Sequence, residues 1–214
     1  MHLQSGSCFE AFSVHGQDPL SKFKVLGPSG YVRKEYNKEL KSFVICLEGD
    51  AARTKVLFPK QKQSLHLLQS FLVLQVYIPV GLNFAIEVTV LDSSNQKRRL
   101  LISTSNREVT INALHAKMPG SVIEQGVWLN LCLDLMSLVM DAFEGKHFLY
   151  TDSITISANC MLKRIFTLKD TPSSDGRSNI FIPENLLLGD INMITQVSSI
   201  FLARFAQKYL KIDH

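Results

Sequence analysis

The sequence predicts a mainly β protein, an antiparallel β-sandwich with one short internal helix and an amphipathic C-terminal helix. Three observations carry this. Apolar residues recur at every second position in many short runs, the period of a strand with one buried face. Turn-forming clusters, among them Gly16 to Pro19, Pro79 to Leu82 and Asp92 to Gln96, separate those runs. Only one interior stretch, opened by Asp134, changes to three- and four-residue spacing. Many short strands and a single internal helix favour an antiparallel sandwich over a parallel α/β fold.

Taken in order, residues 9 to 15 and 22 to 26 read as short strands. Ser42 to Gly49 alternates with apolar residues on both sides, Phe43, Ile45 and Leu47 against Val44 and Cys46, which predicts a central strand covered on both faces. Lys55 to Phe58 is a strand stopped by Pro59, and the polar run Lys60 to Ser64 is a loop. Phe71 to Pro79 and Asn83 to Asp92 are expected to form a hairpin, with Glu87 and Thr89 facing outward. Arg98 to Thr104 continues the antiparallel run, followed by short strands at 107 to 111 and 114 to 118.

The chain is organised around Val127 to Asp170. Val127, Leu129, Leu131 and Leu133 alternate with Trp128, Asn130, Cys132 and Asp134, a strand with a uniformly apolar face. Asp134 then caps a helix carrying Leu135, Leu138, Val139, Ala142 and Phe143, which Gly145 ends. Ile154 and Ile156 resume the alternation. Asn159 marks a tight turn, and Leu162 to Leu168 supplies the second arm of another hairpin. From Thr171 the composition turns to Pro, Ser, Gly and charge, which predicts a polar linker over 171–185 after a domain of residues 1–170. The remaining 186–214 read as a helical tail. Within it a helix from about Asp190 to Leu210 puts Ile194, Val197, Phe201 and Phe205 on one face, a docking stripe for its own domain or a partner.

Composition narrows the function. Apolar residues make up 46% and charged residues 20%, a globular rather than disordered balance. The longest apolar runs fall far short of the roughly 20 residues of a membrane span, so membrane insertion is not expected. No secretory signal opens the chain and no Asn-x-Ser/Thr sequon occurs, so the reading is a cytoplasmic protein. Cys8, Cys46, Cys132 and Cys160 are scattered without a Cys-x-x-Cys pair and read as reduced thiols.

Catalytic and cofactor motifs are missing. There is no Gly-x-x-x-x-Gly-Lys, no Gly-x-Gly-x-x-Gly after a strand and no Gly-x-Ser-x-Gly. The six histidines lack the close helical pairing of a zinc site. Glu87 lies inside a strand with no second acid placed to pair with it by sequence, Asp134 reads as a helix cap and Asp92 as a turn residue, so no acid pair suits glycoside chemistry. A noncatalytic interaction module without cofactor is expected.

Charge points to the partner. Between Leu20 and Lys62 ten basic residues face four acidic ones, a local +6 against +4 for the whole chain. Lys22, Lys24, Arg33, Lys34, Lys60 and Lys62 are the candidate contacts with an acidic partner. Nucleic acid is not expected. Within Lys97-Arg98-Arg99 and Lys163-Arg164 adjacent residues of a strand point to opposite faces, and no stacking aromatic sits among them.

The run SANCMLKRIFTLKD, preceded by the tryptophan-led strand and short helix, resembles the cilia- and flagella-associated protein 20 domain family. So do FLVLQVYIP, VLDSSNQKRRLLIST and LHAKMP, and the resemblance covers roughly residues 1 to 170. It implies a jelly-roll-like sandwich and a structural role on microtubules of the cilium, axoneme or centriole, with tubulin or inner-junction proteins as partners. A sandwich face that binds a glycan or peptide is the alternative. An exposed concave aromatic row containing Trp128 would favour it, and a flat basic face would favour the microtubule reading.

Overall fold

The structure is a computed structural model that describes residues 6–171 and 194–198. Among these residues fourteen strands are arranged in two sheets of seven. The first holds β1 (Cys8–Ser13), β3 (Val32–Asn37), β4 (Ser42–Leu47), β6 (Phe71–Tyr77), β11 (Trp128–Asp134), β13 (Cys160–Leu168) and β14 (Ile194–Val197). The second holds β2 (Lys24–Leu26), β5 (Lys55–Phe58), β7 (Ala85–Asp92), β8 (Lys97–Ser103), β9 (Thr110–Ile111), β10 (His115–Pro119) and β12 (Phe148–Ser157). The order is β14-β11-β6-β13-β4-β3 in the first sheet, with β1 also on β13, and β2-β5-β12-β7-β8-β10-β9 in the second.

The main core lies between the sheets. Leu72, Leu74 and Val76 of β6 and Leu129, Leu131 and Leu133 of β11 share it with Ile86, Val88 and Val90 of β7 and Leu100 and Ile102 of β8, all without solvent exposure. At one end helix α1 (Leu135–Ala142) buries Leu135, Leu138, Val139 and Ala142 in the same core. Asp134 caps it, its carboxylate accepting a hydrogen bond from Ser137 N at 3.1 Å. Gly145, with φ 73°, takes the left-handed conformation beyond its end.

The mainly β sandwich agrees with the sequence reading, and five of its details do not. Two pairs are parallel, β8 with β10 and β11 with β14, in an otherwise antiparallel structure. The expected hairpin of β6 and β7 is a crossing between sheets: β6 pairs with β11 and β13, β7 with β8 and β12. The burial of each strand explains it. β6 is apolar on both sides and almost wholly buried, whereas β7 alternates buried and half-buried residues as a strand with one wet face does. The Asn159 hairpin is likewise a crossing, from β12 in one sheet to β13 in the other. Asn159 ties this corner down: its N donates to Asn83 O at 2.7 Å, and its Oδ1 accepts from Gly49 N at 2.9 Å.

Strand β3 was not expected. Its composition, VRKEYN, has little apolar periodicity, and what holds it is a six-residue antiparallel register with β4. Finally, where the C-terminal helix was expected, Ile194–Val197 is extended and pairs parallel with β11 from Asn130 to Leu133. Isoleucine, threonine and valine all favour the strand, and the open edge of β11 supplies the hydrogen bonds. Val197 points into the main core with no exposure. Phe201, Phe205 and nearly all of the proposed linker lie outside the described residues.

Candidate functional site

The six basic candidates divide between the two sheets. Lys22 ends a 3-10 turn, Pro19–Lys22, and Lys24 begins β2, the edge strand of the second sheet. Lys60 and Lys62 lie in the loop after β5, the strand beside β2. Lys60 N donates to Lys22 O at 2.8 Å, which joins the two segments into one basic corner. Lys22 and Lys60, with Ser21, Phe58, Pro59, Gln61 and Gln63, line a hollow of about 260 Å³. Beneath it Phe23 and Phe58 pack at 5.1 Å between ring centroids, and Phe12 meets Phe23 edge to face at 4.7 Å. That aromatic cluster anchors the corner. None of these four lysines makes an ion pair with a described residue.

Arg33 and Lys34 stand elsewhere, on β3 in the first sheet, and their charge is already engaged. Arg33 grips Glu48 with both terminal nitrogens, at 2.7 and 3.0 Å, and reaches Glu35 at 3.1 Å through Nε. The hydrogen bond from Arg33 holds the Glu48 carboxyl below its ordinary pKa. Lys34 Nζ donates to Gly16 O at 2.8 Å and sits 4.8 Å from the centre of the Phe43 ring. Sequence spacing hides this division, because Glu48 reaches Arg33 only through the pairing of β3 with β4.

Other residues singled out by sequence have structural positions. Trp128 is 6% exposed and packs with Leu40, Val44 and Tyr77, away from the main core. Of the basic dipeptides, Arg98 points inward and Arg99 outward, while Lys163 and Arg164 are both buried. Arg98 Nε donates to Asp92 Oδ2 at 2.6 Å, with its guanidinium 5.1 Å from the centre of the Phe143 ring. Burial would raise the Asp92 carboxyl, but hydrogen bonds from Gln96 N, Arg98 and Ser94 N outweigh it and hold it below the usual range.

All four cysteines are free, and three are buried. Desolvation pushes Cys46 and Cys132 up to about 12 and Cys8 to about 11, and it raises Cys160 as well. Thiols held protonated in this way are poor nucleophiles. Among the described residues no group of three or more His, Cys, Asp or Glu could hold a metal ion, and no helix is long and apolar enough to cross a membrane.

Two packed sheets with a charged, uncompensated corner define a β-sandwich protein whose candidate site is a surface rather than a cleft. The chain belongs to the CFA20 domain family, which it matches over residues 2–179. It is similar to the cilia- and flagella-associated protein 20 of Paramecium tetraurelia, 25% identical over 166 residues that span 77% of this chain and 84% of that one. Among solved structures it is similar to an exo-β-agarase, at 10% identity and a TM-score of 0.43, over 77% of this chain and 25% of that one. A second agarase aligns at 11% identity and a TM-score of 0.43, over 79% and 26% of the two chains.

Proposed function

We propose that this chain is a noncatalytic structural module of the cilium, axoneme or centriole that binds microtubules, or inner-junction proteins beside them, through its basic corner. The observation that carries the reading is the gathering of Lys22, Lys24, Lys60 and Lys62 on one edge, none of them in an ion pair with a described residue. Four uncompensated cations attract an acidic surface, and the tubulin polymer presents one. The relative's name, cilia- and flagella-associated protein 20, supports the same location.

The alternative, a glycan-binding face, needs exposed aromatic platforms. Trp128 is packed away. Among the described aromatics Tyr31, Tyr36 and Phe43 are exposed, and Tyr36 and Phe43 meet edge to face at 77°, which offers a sugar no common plane.

Co-sedimentation with microtubules, intact and stripped of their acidic tails, tests the reading. The protein should pellet with intact polymer, and less as ionic strength rises. Reversing Lys22, Lys24, Lys60 and Lys62 to Glu should weaken binding at least about tenfold, which is only about 1.4 kcal/mol, and leave the melting temperature in place. A folded variant that binds as before would remove the corner from the interaction.

A further inference from the structure

The basic corner continues into a face. In the second sheet cross-strand partners lie on one side, so register alone orders the outward residues. Lys24 pairs with Leu57, Leu57 with Thr155, Thr155 with Glu87, Glu87 with Leu101, and Leu101 with Lys117. Beside this row run Ser153, Thr89, Arg99 and His115 on one side, and Leu26, Lys55 and Ser157 on the other. The opposite side of the same strands, including Val56, Ile154, Ile156, Val88, Leu100 and Ala116, is buried in the core.

The outward rows carry four cations, Lys24, Lys55, Arg99 and Lys117, none ion-paired to a described residue, and one carboxylate, Glu87. Lys97 shares the face, but Asp152 compensates it at 2.8 Å. No Phe, Tyr or Trp stands in the rows of these four cations; Tyr150 lies in the row of Leu91 and Lys97, packed against His66 at 4.1 Å between ring centroids. From β2 to β10 is five strand spacings, about 24 Å at ~4.8 Å each, well beyond the Debye length of about 8 Å at physiological salt. The two ends therefore act on separate parts of a partner.

From this we infer that the outer face of the second sheet is a docking surface for a broad acidic protein surface, with Arg99 and Lys117 at one end and Lys24 and Lys55 at the other. Small polar and aliphatic side chains between them leave the face level enough for close approach, and separated cations demand a partner whose acids are likewise spread. An acidic segment shorter than about seven extended residues, at ~3.4 Å each, would satisfy one end only. The inference rests on the proposed function for its partner class and extends that site across the sheet.

The test uses the full chain with two probes, microtubules and poly-L-glutamate, and three double variants. Arg99→Glu with Lys117→Glu reverses the far end, and Arg99→Gln with Lys117→Gln neutralises it. Lys38→Glu with Lys169→Glu makes the same charge change at exposed positions outside the second sheet. The far-end reversal should weaken microtubule binding at least fivefold, the neutral pair should fall between it and wild type, and the control should bind within twofold of wild type. If wild type ignores microtubules yet binds poly-L-glutamate with the same ranking of variants, the face stands and the microtubule reading falls. Equal losses in far-end and control variants, or no loss at the far end while reversal of Lys22 and Lys60 abolishes binding, would overturn the face.

Discussion

Val197→Asp probes how the C-terminal segment is held. The wild-type side chain is fully buried against the core, and β14 is an edge strand that touches the sheet through β11 alone. Burying a valine is worth about 1.5–3 kcal/mol. Ladder hydrogen bonds of about 1 kcal/mol each are largely offset by the ordering of the backbone, about 1–2 kcal/mol per residue. The strand as a whole therefore contributes about 2 kcal/mol. An aspartate in that pocket would cost more than this if it stayed there, so the strand releases and the loss is capped near its own contribution. For a chain of this size 1 kcal/mol is about 2–4 °C in Tm, which predicts a fall of about 4–8 °C in a protein that still melts cooperatively. Leu131→Asp is the comparison. Leu131 is equally buried but sits on β11 between β14 and β6, where nothing can be released without opening the sheet. That variant should not fold, because an unpaired buried carboxylate removes several kcal/mol from a total stability of about 5–15. Calorimetry of both variants decides. An unchanged Tm for Val197→Asp would refute the packing of β14, and complete unfolding would refute its independence.

Arg98→Met should cost about 3–5 kcal/mol by urea denaturation, since it strands a buried carboxylate, and adding Asp92→Asn should restore part of the loss. Asp92 also predicts the acid limb. Its folded pKa is depressed, so its contribution is complete above the unfolded value of about 3.9 and is lost as pH falls through the lower folded value. Asp92→Asn should therefore flatten the decline of Tm below about pH 4, whereas a limb of unchanged steepness would assign it to other carboxylates. In thiol labelling at pH 8 under native conditions, Cys8, the one half-buried thiol, should react first, and Cys46, Cys132 and Cys160 should react only on unfolding. Rapid modification of all four would contradict the burial of the latter three.

What could be read from the chain was local. The alternation of Leu129, Leu131 and Leu133 placed those side chains in the core, Asp134 announced the helix it caps, and the half-wet pattern of Glu87 and Thr89 marked the outward face of β7. The near-continuous apolar run of β6 also contained the distinction from β7, but the turn residues Pro79 to Leu82 between them made a hairpin the simpler reading. For β3 there was no local signal, since its six residues are ordered by β4 and by the grip of Arg33 on Glu48.

By itself the sequence determined the class of fold, the inward and outward sides of most strands, and the excess of positive charge near the N-terminus, because each depends on residues close together in the chain. The tertiary structure decided which sheet each strand joined, since a two-residue period is the same in either. It also decided which cations remain available. Lys22 meets Lys60 through a backbone hydrogen bond, Arg33 is neutralised from a neighbouring strand, and Lys24, Lys55, Arg99 and Lys117 share a face only through six strands in register. Charge acts through distance in space, and pairing between remote segments is what sets that distance.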